Sequence, residues 1–285
     1  MSPVIEENLP ERKTLMILVT GATGALGTLI AQRLADRDDT ILGTRDPEQL
    51  TAPLPVRRID FDEPGTLVGG FEGVDVLLLI SAGYGEDDTV IARHGAVIDA
   101  AEKAGVRHVV YTSLTADGDH LPYALPHRWT ERRLQESTMD WTILRNGLYA
   151  ELLAWLAAPS GDGRITAPLG EGQLAAVARA DLADAAARVT VEAPAHAGRI
   201  YELVGEQAIG GADLARAHGP HVTYEPETLT QARARIAASG AEPFQVPMLV
   251  GTYSAIAAGF MSRTNGALRQ LLGRAPHSAL AAALA

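Results

Sequence analysis

From Thr14 onward the chain alternates short apolar runs with longer stretches in which apolar residues recur every three or four positions. "TLMILVT" (14–20), "TILGT" (40–44), "VRRID" (56–60), "VDVLLLIS" (74–81), "RHVVYTS" (107–113) and "WTILR" (141–145) read as strands. "ALGTLIAQRLADR" (25–37), "GEDDTVIARHGAVIDAAEKAG" (85–105) and "HRWTERRLQES" (127–137) carry helical spacing. Such long connections suit crossovers between parallel strands better than hairpins, so the pattern predicts an α/β fold with a doubly wound parallel sheet.

After Asn146 the regularity weakens. Strand-like pieces, "RIYELVG" (199–205) and "HVTYE" (221–225), alternate with alanine-rich helices, and helical spacing returns after Pro247. The expected organisation is a nucleotide-binding core over 14–150 and a smaller substrate-binding region over 151–285, packed on the same domain. Residues 1–13 form an extension that is either disordered or a lid, and the tail "SALAAALA" reads as a fraying helix.

Composition narrows the function. A chain of 285 residues with 47% hydrophobic content can bury a large core. Its formal net charge of −11 argues against nucleic acid and anionic membranes as partners, since no basic patch is concentrated anywhere. With no cysteine there is neither disulfide nor thiolate chemistry, and the eight histidines are scattered without metal-ligand spacing. No signal-peptide or membrane-spanning run is visible, which makes the cytoplasm the expected location.

"VTGATGALGTLI" (19–30) carries the clearest chemistry. Gly21, Gly24 and Gly27 follow a predicted strand and open a predicted helix, where glycines let the backbone approach a pyrophosphate. Thr23, Ala25 and Leu26 complete that loop. At the end of the second strand, "GTRD" places Arg45 where an acidic residue would select NAD, and its guanidinium suits the 2′-phosphate of NADPH. The alternative is a solvated arginine neutralised by Asp46. Asp60 and Phe61 end the third strand and could meet the adenine, although "DFDEPG" could equally be a helix start capped by Asp62. Ser81, Ala82 and Gly83 end the fourth strand with small side chains that admit a cofactor.

With the glycine loop, Arg45, "LLLIS", "YTSL" and "LRNGLY" in order, the chain resembles the atypical short-chain dehydrogenase/reductases, the group of NmrA-like proteins and type 2 NADPH:quinone oxidoreductases. The resemblance implies a Rossmann-type fold binding NADPH, with substrate held beside the nicotinamide by the C-terminal half. It places Thr112 and Ser113 after the fifth strand beside the reacting ring. Asn146, within "RNG", falls where the chain meets the nicotinamide.

The departures from the family matter as much. No tyrosine has a lysine four residues later; Tyr123 is followed at that spacing by His127. Arg132 stands where quinone-reductase-like relatives tend to carry a helical lysine, and arginine is a poor proton donor. Candidate donors are therefore Ser113, as a hydrogen-bond donor, with His127 and Tyr123. Trp129, Tyr149, Trp155, Phe244, Met248 and Tyr253 are candidate pocket walls for a flat aromatic ligand.

Together these features imply an NADPH-dependent ketoreductase of a polycyclic aromatic ketone, such as an angucycline-type polyketide. A general quinone oxidoreductase and a non-catalytic NmrA-like NADP(H) sensor are the alternatives.

Overall fold

The apolar runs pair into one parallel sheet. The computed structural model describes residues 15–82 and 85–285. The N-terminal extension and Gly83, both given roles above, lie outside them.

Strands β1 (Ile17–Val19), β2 (Thr40–Thr44), β3 (Val56–Arg58), β4 (Val76–Ile80), β5 (His108–Leu114) and β6 (Asp140–Asn146) correspond to the six predicted runs. Two short strands, β7 (Arg164–Ile165) and β8 (Gln173–Leu174), precede β9 (Arg199–Leu203), which joins the main sheet. The order is β3-β2-β1-β4-β5-β6-β9, with every neighbouring pair parallel. The direction of winding reverses between β1 and β4, which opens a crevice at their C-terminal ends. β1 is shorter than its apolar run, and Thr20 follows it. Its hydroxyl donates to the Leu78 carbonyl at 3.2 Å and accepts the Ile80 N–H at 3.0 Å, which stitches β1 to β4 beside the crevice.

Helices α1 (Ala25–Arg33), α2 (Leu67–Gly70), α3 (Asp87–Ala104), α4 (Ala124–Gln135), α5 (Ala150–Leu156) and α6 (Arg179–Val191) follow in chain order. Of these, α1 and α6 bury Ile30, Leu182 and Ala186 on one face of the sheet. On the other face α2, α3 and α4 bury Leu67, Val97, Ile98 and Leu134. α4 begins at Ala124, three residues before the predicted start, so Tyr123 becomes its N-cap residue.

The C-terminal lobe adds β10 (Ile209–Gly210), α7 (Gly211–His218), β11 (Thr223–Tyr224), α8 (Leu229–Ala238), α9 (Gln245–Ala257), α10 (Ala267–Leu272) and α11 (Ala279–Leu284). β10 pairs with β8 and β11 with β7, outside the main sheet. Residue 150 is not a structural boundary: α6, β9 and α10 come from beyond it and complete the sheet and its cover. Nor does the alanine-rich tail fray. Ala279 and Ala283 are buried in the core that also holds Leu153 and Ile256. No described helix is long and apolar enough to cross a membrane.

Candidate active site

At the first strand-to-helix turn, Gly21 adopts φ +61°, the left-handed region that disfavours side chains. A Cβ on Gly27 would lie 2.1 Å from the Gly21 carbonyl oxygen, so only glycine lets α1 start this close to β1. Gly24 precedes α1 and offers no capping side chain. The first N–H groups of the helix, on Ala25, Leu26 and Gly27, therefore remain for an anion, with the helix dipole behind them. Leu26 serves only through its backbone, since its side chain is in the core, whereas Thr23 is exposed beside the loop.

Arg45 follows β2, exposed, and among the described residues it makes no ion pair. No salt bridge joins it to Asp46. Beyond β3, Asp60 accepts the Asp62 N–H at 3.0 Å, which caps its own turn. Asp62, expected as the cap, instead holds Arg93 through two bonds of 2.6 and 2.7 Å. Phe61 is half-buried against the core beside α2.

The end of β4 is braced. Ser81 N–H donates to Thr112 Oγ1 at 3.0 Å, and Ala82 N–H donates to His94 Nε2 at 3.0 Å. Thr130 Oγ1 donates to the Pro126 carbonyl and lies 2.8 Å from His94 Nδ1, so the imidazole proton sits on Nδ1. Burial, then His127 and Arg93, pushes His94 down to about 3, which keeps it neutral and able to accept from Ala82.

Above these strand ends opens a cavity of about 890 Å³, enclosed by residues of β5, β6, α4, α5, α8 and α9. Ser81, Thr112, Ser113 and Asn146 form its sheet side, Tyr123 and His127 enter from α4, and Tyr149, Trp155 and Met248 line it as expected. So does Tyr253, also a candidate wall, together with Arg179 and Thr252. Phe244 and Trp129 do not. Phe244 precedes α9 and its neighbour Gln245 faces the cavity instead, while Trp129 turns toward Gly95 on α3. Asn146 Oδ1 is buried without a partner, which fits a ligand that donates hydrogen bonds at the end of β6, as a nicotinamide carboxamide does. With the uncapped α1 and the unpaired Arg45, the residues present fit a phosphorylated dinucleotide.

Beneath Ser113 lies a charged network. Ser113 Oγ donates to Glu131 Oε1 at 2.5 Å. The same carboxylate receives Arg145 at 2.6 and 3.0 Å and Arg128 at 2.6 Å. Arg145 continues to Glu202 at 3.0 Å, and Glu202 accepts from Thr115 Oγ1 at 2.9 Å. Ser113, expected to donate to a substrate carbonyl, here directs its hydroxyl at Glu131 while still lining the cavity. Arg132, expected at the cofactor, points the other way: its side chain is 80% exposed and pairs with Glu136. α4 turns Thr130, Glu131 and Leu134 toward the sheet, leaving Arg132 on the solvent side.

The remaining donors are also constrained. Tyr111 is fully buried and its hydroxyl lies 2.9 Å from His127 Nδ1. Burial, then Arg128, pushes His127 down to about 4, so its imidazole is neutral near pH 7. Tyr123 lies 3.4 Å from Thr252 Oγ1, and burial raises its phenol above the ordinary range. Among the described residues no lysine is hydrogen-bonded to it.

The family model described as NAD(P)H-binding matches residues 21–193. Quinone oxidoreductase 2 of Escherichia coli is 38% identical over 223 residues, covering 74% of this chain and 77% of that protein. The NAD(P)H azoreductase of Xenophilus azovorans is 29% identical, covering 79% of this chain and 82% of its own length. Among solved structures, Citrobacter triphenylmethane reductase complexed with NADP(H) superposes with a TM-score of 0.86 at 30% identity, covering 94% of this chain and 99% of that one.

Proposed function

The chain belongs to the NAD(P)H-binding family, in its NmrA-like, quinone oxidoreductase 2-like branch, and from that premise we propose that it reduces a flat, polycyclic aromatic carbonyl or quinone that manages its own proton. The protein is an NADP(H)-dependent oxidoreductase, so the open question is its acceptor.

One observation carries the proposal. Ser113, Tyr123 and His127 line a single cavity, and none of them is tuned toward neutral pH as a general acid. The serine proton is held by Glu131, the tyrosine is raised by burial, and the histidine is already neutral. A positioned acid contributes about a hundredfold to ten-thousandfold. Forgoing it is tolerable when the acceptor is a quinone, whose reduced oxygen is stabilised by aromatisation. It is equally tolerable when a phenol flanks the ketone and donates to its oxygen internally.

When bound, the dinucleotide supplies the hydride. The chain's own residues do the rest. The uncapped start of α1 and Arg45 hold phosphates, and Asn146 accepts a hydrogen bond from the ring end of the ligand. Trp155 and Met248 provide apolar walls that orient a flat acceptor. As hydride adds to the carbonyl carbon, the C=O electron pair moves to oxygen. The adjoining phenol protonates that oxygen, and water restores the phenol.

General quinone reduction is the second reading, favoured by the similarity to quinone oxidoreductase 2. Loss of NADPH absorbance, followed side by side with a simple benzoquinone and a hydroxylated polycyclic ketone, separates the two. Turnover of the ketone supports the proposal, and turnover of the quinone alone supports the second reading. Tight NADPH binding with neither acceptor reduced would overturn both.

A further inference from the structure

Arginines in this chain are mostly matched by carboxylates, and the cavity contains one that is not. Arg179 begins α6, two residues after Val177, and Val177 forms a bridge with Tyr149 just beyond β6. Its guanidinium lies over the Tyr149 ring, 4.8 Å from the centroid, and faces the cavity. Among the described residues this guanidinium makes no ion pair and no hydrogen bond, and its Nε is buried without a partner.

The neighbouring charges are otherwise engaged. Glu151 also lines the cavity, but its carboxylate accepts the Arg179 backbone N–H at 3.1 and 3.3 Å, at the positive end of α6. Arg235, the cavity's other arginine, is paired with Glu227 at 2.6 Å.

A guanidinium stacked on an aromatic face keeps its in-plane N–H fork open for an anion. An orphaned buried donor is costly unless a ligand satisfies it. We propose that Arg179 binds an acidic oxygen substituent, a sulfonate, carboxylate or phenolate, carried by the aromatic acceptor. This deepens the reductase assignment and rests on it for the word acceptor, though not for the binding itself. The chain carries a net charge of −11, which repels anions at long range, so a local unpaired cation is what lets an acidic ligand enter.

The test reads binding rather than turnover, so that failure to reduce any acceptor leaves it intact. The NADP-loaded protein is titrated calorimetrically with naphthalene-2-sulfonate and with the neutral naphthalene-2-sulfonamide. The wild-type protein should favour the sulfonate by on the order of tenfold, the size of one charge-assisted hydrogen bond. Arg179→Gln should abolish that preference while changing sulfonamide affinity less than about twofold, and Arg179→Lys should keep part of it. NADPH affinity, measured on the same variants, should stay within about twofold and shows that they are folded. Equal wild-type affinity for both probes, or equal loss of both in Arg179→Gln, would overturn the proposal. So would a fall of about tenfold in NADPH affinity, which would put the guanidinium on the cofactor instead.

Discussion

Ser113 Oγ donates to Glu131 Oε1 at 2.5 Å, beneath a carboxylate that Arg128 and Arg145 clasp from two other sides. The serine that the family resemblance places beside the reacting ring thus directs its hydroxyl at α4 in this structure. Replacing Ser113 by alanine should lower kcat by less than about tenfold, below the roughly hundredfold that a positioned acid contributes at the least. Steady-state kinetics would contradict this if kcat fell by several orders of magnitude.

Glu131→Gln should cost more in stability than in chemistry. The carboxylate is buried, and removing its charge leaves Arg145 without its main counter-ion. Breaking such a pair typically costs about 3–5 kcal/mol, and the partial exposure of Arg145 brings the expected loss to on the order of 3 kcal/mol. Arg132→Gln, on the solvent face of the same helix, should change stability by less than about 0.5 kcal/mol. Urea titration of the two variants checks the contrast.

His94, His108 and His127 are held down to about 3, 4 and 4 from an ordinary 6.5, burial being the largest cause in each. Depressed values mean that the unfolded chain binds these protons first as pH falls. Their contribution is present in full above pH 6.5 and is lost as pH drops toward 4. Stability should therefore decline steeply across that window. His108 bonds to Thr142 at 2.8 Å, away from the cavity, and His108→Gln should reduce the slope near pH 5 by about one proton. With His127 already neutral, kcat should show no break near pH 6.5. A break there that vanishes in His127→Gln would make His127 the acid.

Arg45→Ala should raise the NADPH KM by on the order of tenfold and leave the NADH KM nearly unchanged, since one charge-assisted phosphate contact is removed. Equal effects would remove Arg45 from the phosphate. Gly27→Ala should abolish binding of both cofactors, because its Cβ would fall 2.1 Å from the Gly21 carbonyl; retained binding, read by NADPH fluorescence, would contradict that geometry.

The sheet was legible because its central strands β1, β4 and β5 are buried on both faces and appear as near-continuous apolar runs, whereas the edge strands β3 and β9 are partly exposed. The glycine loop was legible because backbone approach tolerates few residue types. β9 was recognised as strand-like, but its place beside β6 was not, since local pattern says nothing of which edge a late strand joins. Ser113, Tyr123, His127 and Asn146, each singled out from the sequence or the family resemblance, line one cavity, whereas Arg132, given by that resemblance the place of a helical lysine, faces solvent. Tyr111 and His94 escaped notice because their roles depend on partners 16 and 36 residues away. Arg179 escaped for a similar reason: its unpaired state is a property of the assembled cavity.

The most direct measurement compares NADPH oxidation with a polycyclic ketone bearing a hydroxyl beside the carbonyl and with its methyl ether. If the acceptor supplies its own proton, the ether should be reduced at least about a hundredfold more slowly in kcat, the lower value of a positioned acid, while binding remains comparable. Equal turnover of ketone and ether would show that the protein provides the proton after all.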